Sequence, residues 1–192
     1  MQRLGRVIVM ALIPFLSACS ASLDDYRDTQ PELDLKQFFN GHLEAYGIVQ
    51  DYKGKVARRF RADILGFWDG EQGLLDERFI FDDGEEQHRC WQLERIGNRY
   101  QGTAGDVVGM AEGEVAGNAL NWQYTLAVPV NGKTWHLKLN DWMFLVDENN
   151  LINRASMYKF GLEVGEITLY IRKISDQPHR ELTLGCGHKE VT

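Results

Sequence analysis

Long apolar runs, clustered positive charge and cysteine are all scarce in this sequence, and each scarcity excludes a class of protein. The main apolar run, Val7 to Leu16, falls short of the roughly 20 residues needed to cross a bilayer as a helix, and Pro14 weakens it further. No group of lysines and arginines forms a phosphate-binding stripe. Arg58, Arg59 and Arg61 alternate faces on a strand among acidic neighbours, so nucleic acid is excluded as a partner. Cysteine occurs three times, and the spacing of His179, Cys186 and His188 matches no zinc pattern. No metal or cofactor is expected. A Gly-x-Ser-x-Gly nucleophile elbow is also missing, and enzymatic activity is the minority reading, with Asp106 or Asp141 the available bases.

What is present begins with a leader. Arg3 and Arg6 precede the apolar run, and Leu16-Ser17-Ala18-Cys19 follows it. A positive start, a short apolar stretch and small residues before a cysteine form a lipoprotein signal. Residues 1–18 are therefore expected to be removed and Cys19 to be acylated, which attaches the chain to a membrane. Ser20, in place of Asp, favours the outer membrane of the cell envelope by analogy with lipoprotein sorting. Loss of Arg3 and Arg6 leaves 19 Lys and Arg against 28 Asp and Glu, a net charge of −9. Cys90 and Cys186 remain, either paired or, on the plainer reading, free thiols.

Residues 19–33 are polar and aperiodic, as expected of the lipidated cysteine and a flexible tether. Asp34 is placed to cap a helical turn over Leu35 to Phe39. From Gly41 to Ile174 the chain alternates apolar and polar residues between Gly, Asn and Asp pairs, the mark of antiparallel strands. Leu120, Trp122, Tyr124, Leu126 and Val128 define one apolar face. Asn131-Gly132 then predicts a tight hairpin, and Trp135, Leu137 and Leu139 return. The apolar phase changes to Trp142, Phe144 and Val146, which predicts a bulge near Asn140 and Asp141. Nine or ten such strands without intervening helices predict an all-β fold. An antiparallel meander closing into a lipocalin-like (calycin-type) barrel with a short N-terminal helical turn is preferred to a β-sandwich, because closure removes exposed edges. The domain is expected over residues 34–174, with 175–192 as a poorly ordered tail.

Phasing each strand by its apolar residues identifies polar side chains on the inner face. Arg58 shares a face with Val56, Phe60 and Ile64, and Arg89 with Trp91 and Leu93. Asp106 falls in with Tyr100 and Ala104, and Arg154 with Ile152, Tyr158 and Phe160. Two readings are open. Arg58 or Arg89 pairs with Asp106 as a ligand-free staple that seals the barrel bottom. Alternatively, surplus cations among Arg58, Arg89 and Arg154 receive an anionic head group while Trp91, Trp122 and Tyr124 line an apolar cavity.

Several segments together carry a family resemblance. They are Phe38-Phe39-Asn40-Gly41, Gly47-Ile48-Val49-Gln50-Asp51, Gly54-Lys55-Val56-Ala57-Arg58-Arg59-Phe60, Asp82-Asp83-Gly84, Gly102-Thr103-Ala104-Gly105-Asp106-Val107, Gly117-Asn118-Ala119-Leu120-Asn121-Trp122, Asp141-Trp142 and Lys159-Phe160-Gly161. With the lipobox, they resemble the proteobacterial lipoproteins of domain of unknown function 3833 over about residues 19 to 174. The resemblance implies no activity, ligand or catalytic residue. In outline the chain also resembles lipocalins, but Gly41-His42-Leu43 stands where a lipocalin carries Gly-x-Trp.

The expected function is a membrane-tethered lipoprotein that binds or carries a small amphipathic anion, such as a fatty acid or lipid. The alternatives are an assembly lipoprotein with a packed interior that engages an envelope protein, and a lipid-modifying enzyme.

Overall fold

The computed structural model describes residues 21–177 and Cys186; Cys19, His179 and His188 lie outside that range. Ten antiparallel strands close into a barrel in which each strand pairs with its neighbours in sequence and β1 with β10 completes the circle. The strands are β1 Gly41–Asp51, β2 Val56–Asp69, β3 Gln72–Phe81, β4 Glu86–Ile96, β5 Arg99–Thr103, β6 Ala111–Ala116, β7 Ala119–Val130, β8 Lys133–Asp147, β9 Asn150–Lys159 and β10 Leu162–Ser175. The sandwich alternative is thereby set aside. Closure follows from the alternation, since each strand has one apolar face to bury and two edges to pair. The Asn131-Gly132 hairpin has positive φ at both residues (49° and 75°), as a two-residue type I′ turn requires.

One end of the barrel is plugged by α1, Leu35–Phe38. Asp34 caps it by accepting a hydrogen bond from the Gln37 N–H, 3.2 Å, and also pairs with Arg95 at 3.1 Å. Leu35, Phe38 and Phe39 are buried in the core. Lys36 donates to the Gly70 carbonyl and Lys173 to the Gln37 carbonyl, which ties the plug to the strand ends. The Phe39 carbonyl lies so close to Gly66 that a Cβ there would sit 1.5 Å from the oxygen. Only glycine lets the plug seat. The other end, ringed by the β1–β2, β3–β4, β5–β6, β7–β8 and β9–β10 connections, forms the mouth.

Three sequence expectations are corrected here. The described part of the expected tether is bound to the barrel wall. Leu23–Tyr26 forms a 3-10 turn, and the Tyr26 ring packs on Trp142 and Phe144 at 5.7 and 5.4 Å. Leu33 N–H donates to the Gly117 carbonyl, 2.8 Å, and Leu33 is buried. Gly117 (φ 51°) lies under the Tyr26 carbonyl, where a Cβ would approach to 1.9 Å.

The expected bulge at Asn140 and Asp141 is also absent. β8 runs as one strand, with register to β9 unbroken from Lys138 to Leu145. Trp142 and Phe144 face outward and stack on each other beneath the N-terminal segment. The apolar phase changes because the outer face of β8 is covered at that point, and Asp141 is thereby turned inward.

The third correction concerns the thiols. Cys90 and Cys186 are joined in a disulfide across a sequence separation of 96. The covalent link holds Cys186 against the outer wall beside β3, near the Leu75 carbonyl.

Candidate functional site

The inner faces of the strands do not fill the barrel. A cavity of about 650 Å³ runs from the α1 plug, at Leu35 and Phe39, to the mouth, a size typical of small-molecule sites. An interior packed solid, as the assembly reading expected, is not what the fold builds. Most of the wall is apolar, including Phe60, Phe79, Trp91, Trp122, Leu137 and Ile167. The Trp91 ring meets Tyr124 and Trp122 edge to face, at 5.5 and 5.8 Å.

Two groups of buried polar residues lie within this wall, apart from Arg58, Glu85, Gln87 and His88 towards the mouth. Arg89, projecting from β4, donates from Nε and Nη2 to the Asp106 carboxylate at 2.8–3.0 Å. Asp106 comes from the β5–β6 connection, which runs beside β7. Its carbonyl accepts from the Ala127 N–H, and Val107 bridges to Leu126. That pairing turns the Asp106 side chain towards Arg89. Glu77, opposite Arg89 on β3, has Oε2 3.6 Å from the guanidinium and no hydrogen-bond donor on that oxygen. Burial pushes the Glu77 carboxyl up despite the attraction of Arg89. Burial also opposes the charge on Arg89, but Asp106 and Glu77 outweigh it and raise the guanidinium further.

Further round the barrel, Asp141 is buried at 5% exposure. It accepts from the Asn153 amide and, at 3.5 Å, from the Tyr124 hydroxyl. Burial pushes its carboxyl up to about 7, against the hydrogen bond from Asn153. Burial and the facing Asp141 likewise raise the Tyr124 hydroxyl well above its ordinary range.

Of the residues chosen from sequence, Arg58, Arg89, Trp91, Asp106, Trp122 and Tyr124 all line the cavity. Arg154 does not. On β9 the residues facing inward are Leu151, Asn153, Ala155 and Met157, and Arg154 lies outside with its side chain 59% exposed, paired with Glu166 at 2.6 Å. Apolar residues on both faces of β9 misled the phasing. Arg58 reaches the mouth rather than a sealed bottom, where it meets Asp83 and Glu85 at 2.9 and 2.8 Å. The expected surplus of cations is therefore missing: each of the three arginines is already paired with carboxylate. Sequence phasing also passed over Glu77, Asp141 as an inward residue, and Asn153. Glu77 was accessible, since Leu75, Phe79 and Phe81 share its phase.

Solved structures support the architecture. A protein of unknown function of the DUF3598 family from Nostoc punctiforme superposes with a TM-score of 0.54 at 11% identity, over 76% of this chain and 51% of that one. The chain thus spans about half the length of that protein. An S-type phycobiliprotein lyase from Guillardia theta gives a TM-score of 0.53 at 9% identity, over 74% of this chain and 94% of the lyase. At such identities the similarity is one of fold. None of the curated proteins matches the chain. The family model described as "Protein of unknown function (DUF3833)" matches residues 13–173.

Proposed function

We propose that this chain, which belongs to the DUF3833 family, holds one small, largely apolar molecule in its barrel and recognises the polar end of that molecule with the Glu77–Arg89–Asp106 and Tyr124–Asp141–Asn153 groups. The observation that carries the proposal is an apolar cavity of about 650 Å³ with buried polar side chains gathered in these two groups on its wall. Polar groups withdrawn from water in this way cost free energy unless they are paired, and the Glu77 carboxyl lines the cavity 3.6 Å from Arg89. A hydroxyl, amide or amine on the ligand would donate to a carboxyl of this wall.

The balance of charge refines the ligand class. Four carboxyl groups, Glu77, Glu85, Asp106 and Asp141, line the cavity against two guanidinium groups, those of Arg58 and Arg89, each already paired with carboxylate. A fatty-acid carboxylate, the ligand expected from sequence, would need a formed ion pair to open. An apolar molecule ending in a hydrogen-bond donor would not. The lipoprotein leader, acylation of Cys19 and a seat on the outer membrane belong to the same proposal. They are supported by Leu16-Ser17-Ala18-Cys19-Ser20, and they would place the binding domain next to a source of apolar ligands.

Native mass spectrometry of the full chain after mild extraction tests the proposal, together with displacement of an apolar fluorescent probe by dodecanol, dodecylamine and dodecanoate. A co-purifying small molecule is expected, with the alcohol or amine displacing the probe better than the carboxylate. No retained molecule and no saturable probe binding would overturn the reading. Preference for dodecanoate would overturn the assignment of a donor head group.

A further inference from the structure

The β9–β10 hairpin at the mouth is a two-residue turn, Phe160-Gly161, with Lys159 opposite Leu162. Phe160 has φ 52° and Gly161 φ 81°, the same geometry as Asn131-Gly132 on the neighbouring β7–β8 hairpin. Asn or Gly adopts a positive φ at little cost, whereas a bulky residue rarely does. Phe160 is also 94% exposed, so its ring gains no burial to offset the strain. A strained conformation held by an outward-pointing aromatic side chain indicates a role outside the fold.

Its neighbours extend the pattern. Leu162 is 71% exposed and Tyr52, in the adjoining β1–β2 hairpin, 70%. Val56 and Trp135 are exposed at the same end. Lysines stand among them: Lys159 lies 3.8 Å from the Trp135 ring centroid and 5.2 Å from that of Phe160, and Lys53 lies 5.3 Å from that of Tyr52. Lys55 and Lys133 occupy the same turns. The nearby carboxylates Asp82, Asp83 and Glu85 are engaged by Arg59 and Arg58, Asp51 caps its own turn through the Lys53 and Lys55 N–H groups, and Glu163, beside Leu162, accepts from the Tyr158 hydroxyl at 3.4 Å. On a chain that is acidic overall, this sector of the rim thus combines exposed aromatic and aliphatic tips with lysines.

We infer that the mouth rim is a docking surface for an anionic lipid bilayer, with Phe160, Leu162 and Tyr52 entering the interface and Lys53, Lys55 and Lys159 contacting head groups. Aromatic rings partition to the boundary between head groups and acyl chains, and lysines beside them are attracted to anionic lipid. Charge complementarity and the projection of single side chains from turn tips fit a bilayer. A protein partner would instead be met by a flat packed patch. Seated in this way, the cavity opens onto the membrane.

The test is flotation of residues 19–192 carrying Cys19→Ser, which removes both the leader and any acyl contribution, with vesicles of phosphatidylglycerol and phosphatidylethanolamine or of phosphatidylcholine alone. Salt-sensitive binding to the anionic vesicles is expected. The double variant Phe160→Asn/Leu162→Ser should lower partitioning at least tenfold, and Lys53→Glu/Lys159→Glu comparably. Phe160→Asn relieves the turn, so its Tm should be unchanged or higher, which separates lost docking from lost fold. Probe binding in the cavity should persist in Phe160→Asn, so the docking inference and the cavity proposal can fail separately. Absence of binding to anionic vesicles, or equal binding by the double variant, would overturn the inference.

Discussion

Arg89 holds Asp106 through two nitrogens inside the barrel, at 2.8–3.0 Å, with Glu77 on the other side of the guanidinium at 3.6 Å. Removing one member of a buried ion pair typically costs about 3–5 kcal/mol, because the partner is left charged and unpaired. Arg89→Met is accordingly expected to destabilise the chain by about 3 kcal/mol in urea denaturation. Adding Glu77→Gln and Asp106→Asn to that variant should recover most of the loss. Equal stability of the single and triple variants would show that the pairing is not what matters.

Asp141 supplies a pH signature. Its carboxyl is raised to about 7 when folded, from 3.8 for the free group. Between those values the folded chain retains a proton that the unfolded chain has released, so stability falls as pH rises through this window and levels off above it. Glu77, also raised, acts with the same sign. The exposed carboxylates Asp82, Asp83, Glu85 and Asp147 are lowered and so act only below about pH 4. Wild type should therefore be less stable at pH 8 than at pH 5. Asp141→Asn should remove a difference on the order of 3 kcal/mol, read from urea midpoints at the two pH values.

The N-terminal segment offers a local test. A side chain at Gly117 would strike the Tyr26 carbonyl and the Thr29 hydroxyl. Gly117→Val is expected to detach residues 21–33 and so speed proteolysis within them, while the strand signal in circular dichroism is retained.

The disulfide closes a loop of 96 residues, and cross-links of that span stabilise by up to about 4–5 kcal/mol on the chain-entropy account. Cys90→Ser should lower the Tm by several degrees, and reductant should do the same to wild type but not to the variant.

How far the sequence reveals this architecture depends on which face of each strand is covered. Arg58, Arg89, Trp91, Trp122 and Tyr124 were legible because their strands bury one face only, so apolar phase equals interior. On β8 the outer face is covered by Tyr26, so Trp142 and Phe144 are apolar yet external, and the phase rule turned Asp141 the wrong way. On β9 the outward Ile152 and Tyr158 concealed Asn153 and promoted Arg154. The Cys90–Cys186 bond is set by three-dimensional proximity between distant segments, for which local pattern has no signal. The Arg89–Asp106 pair was one of the two readings open from sequence, whereas the partners of Arg58 and Arg154 were hidden for the same reason, and it is the pairing of all three that shifts the ligand class away from an anion.

Saturable occupation of the cavity is the central claim, and a cavity-filling substitution tests it most directly. Ala155 lines the cavity opposite Asp141, and Ala155→Phe would place a ring in the space proposed for the ligand. Titration of an apolar fluorescent probe into wild type and into Ala155→Phe, each verified as folded by circular dichroism, should show one saturable site in wild type and at least a tenfold weaker Kd in the variant. Equal affinity in the two proteins, or no saturation in wild type, would contradict the account.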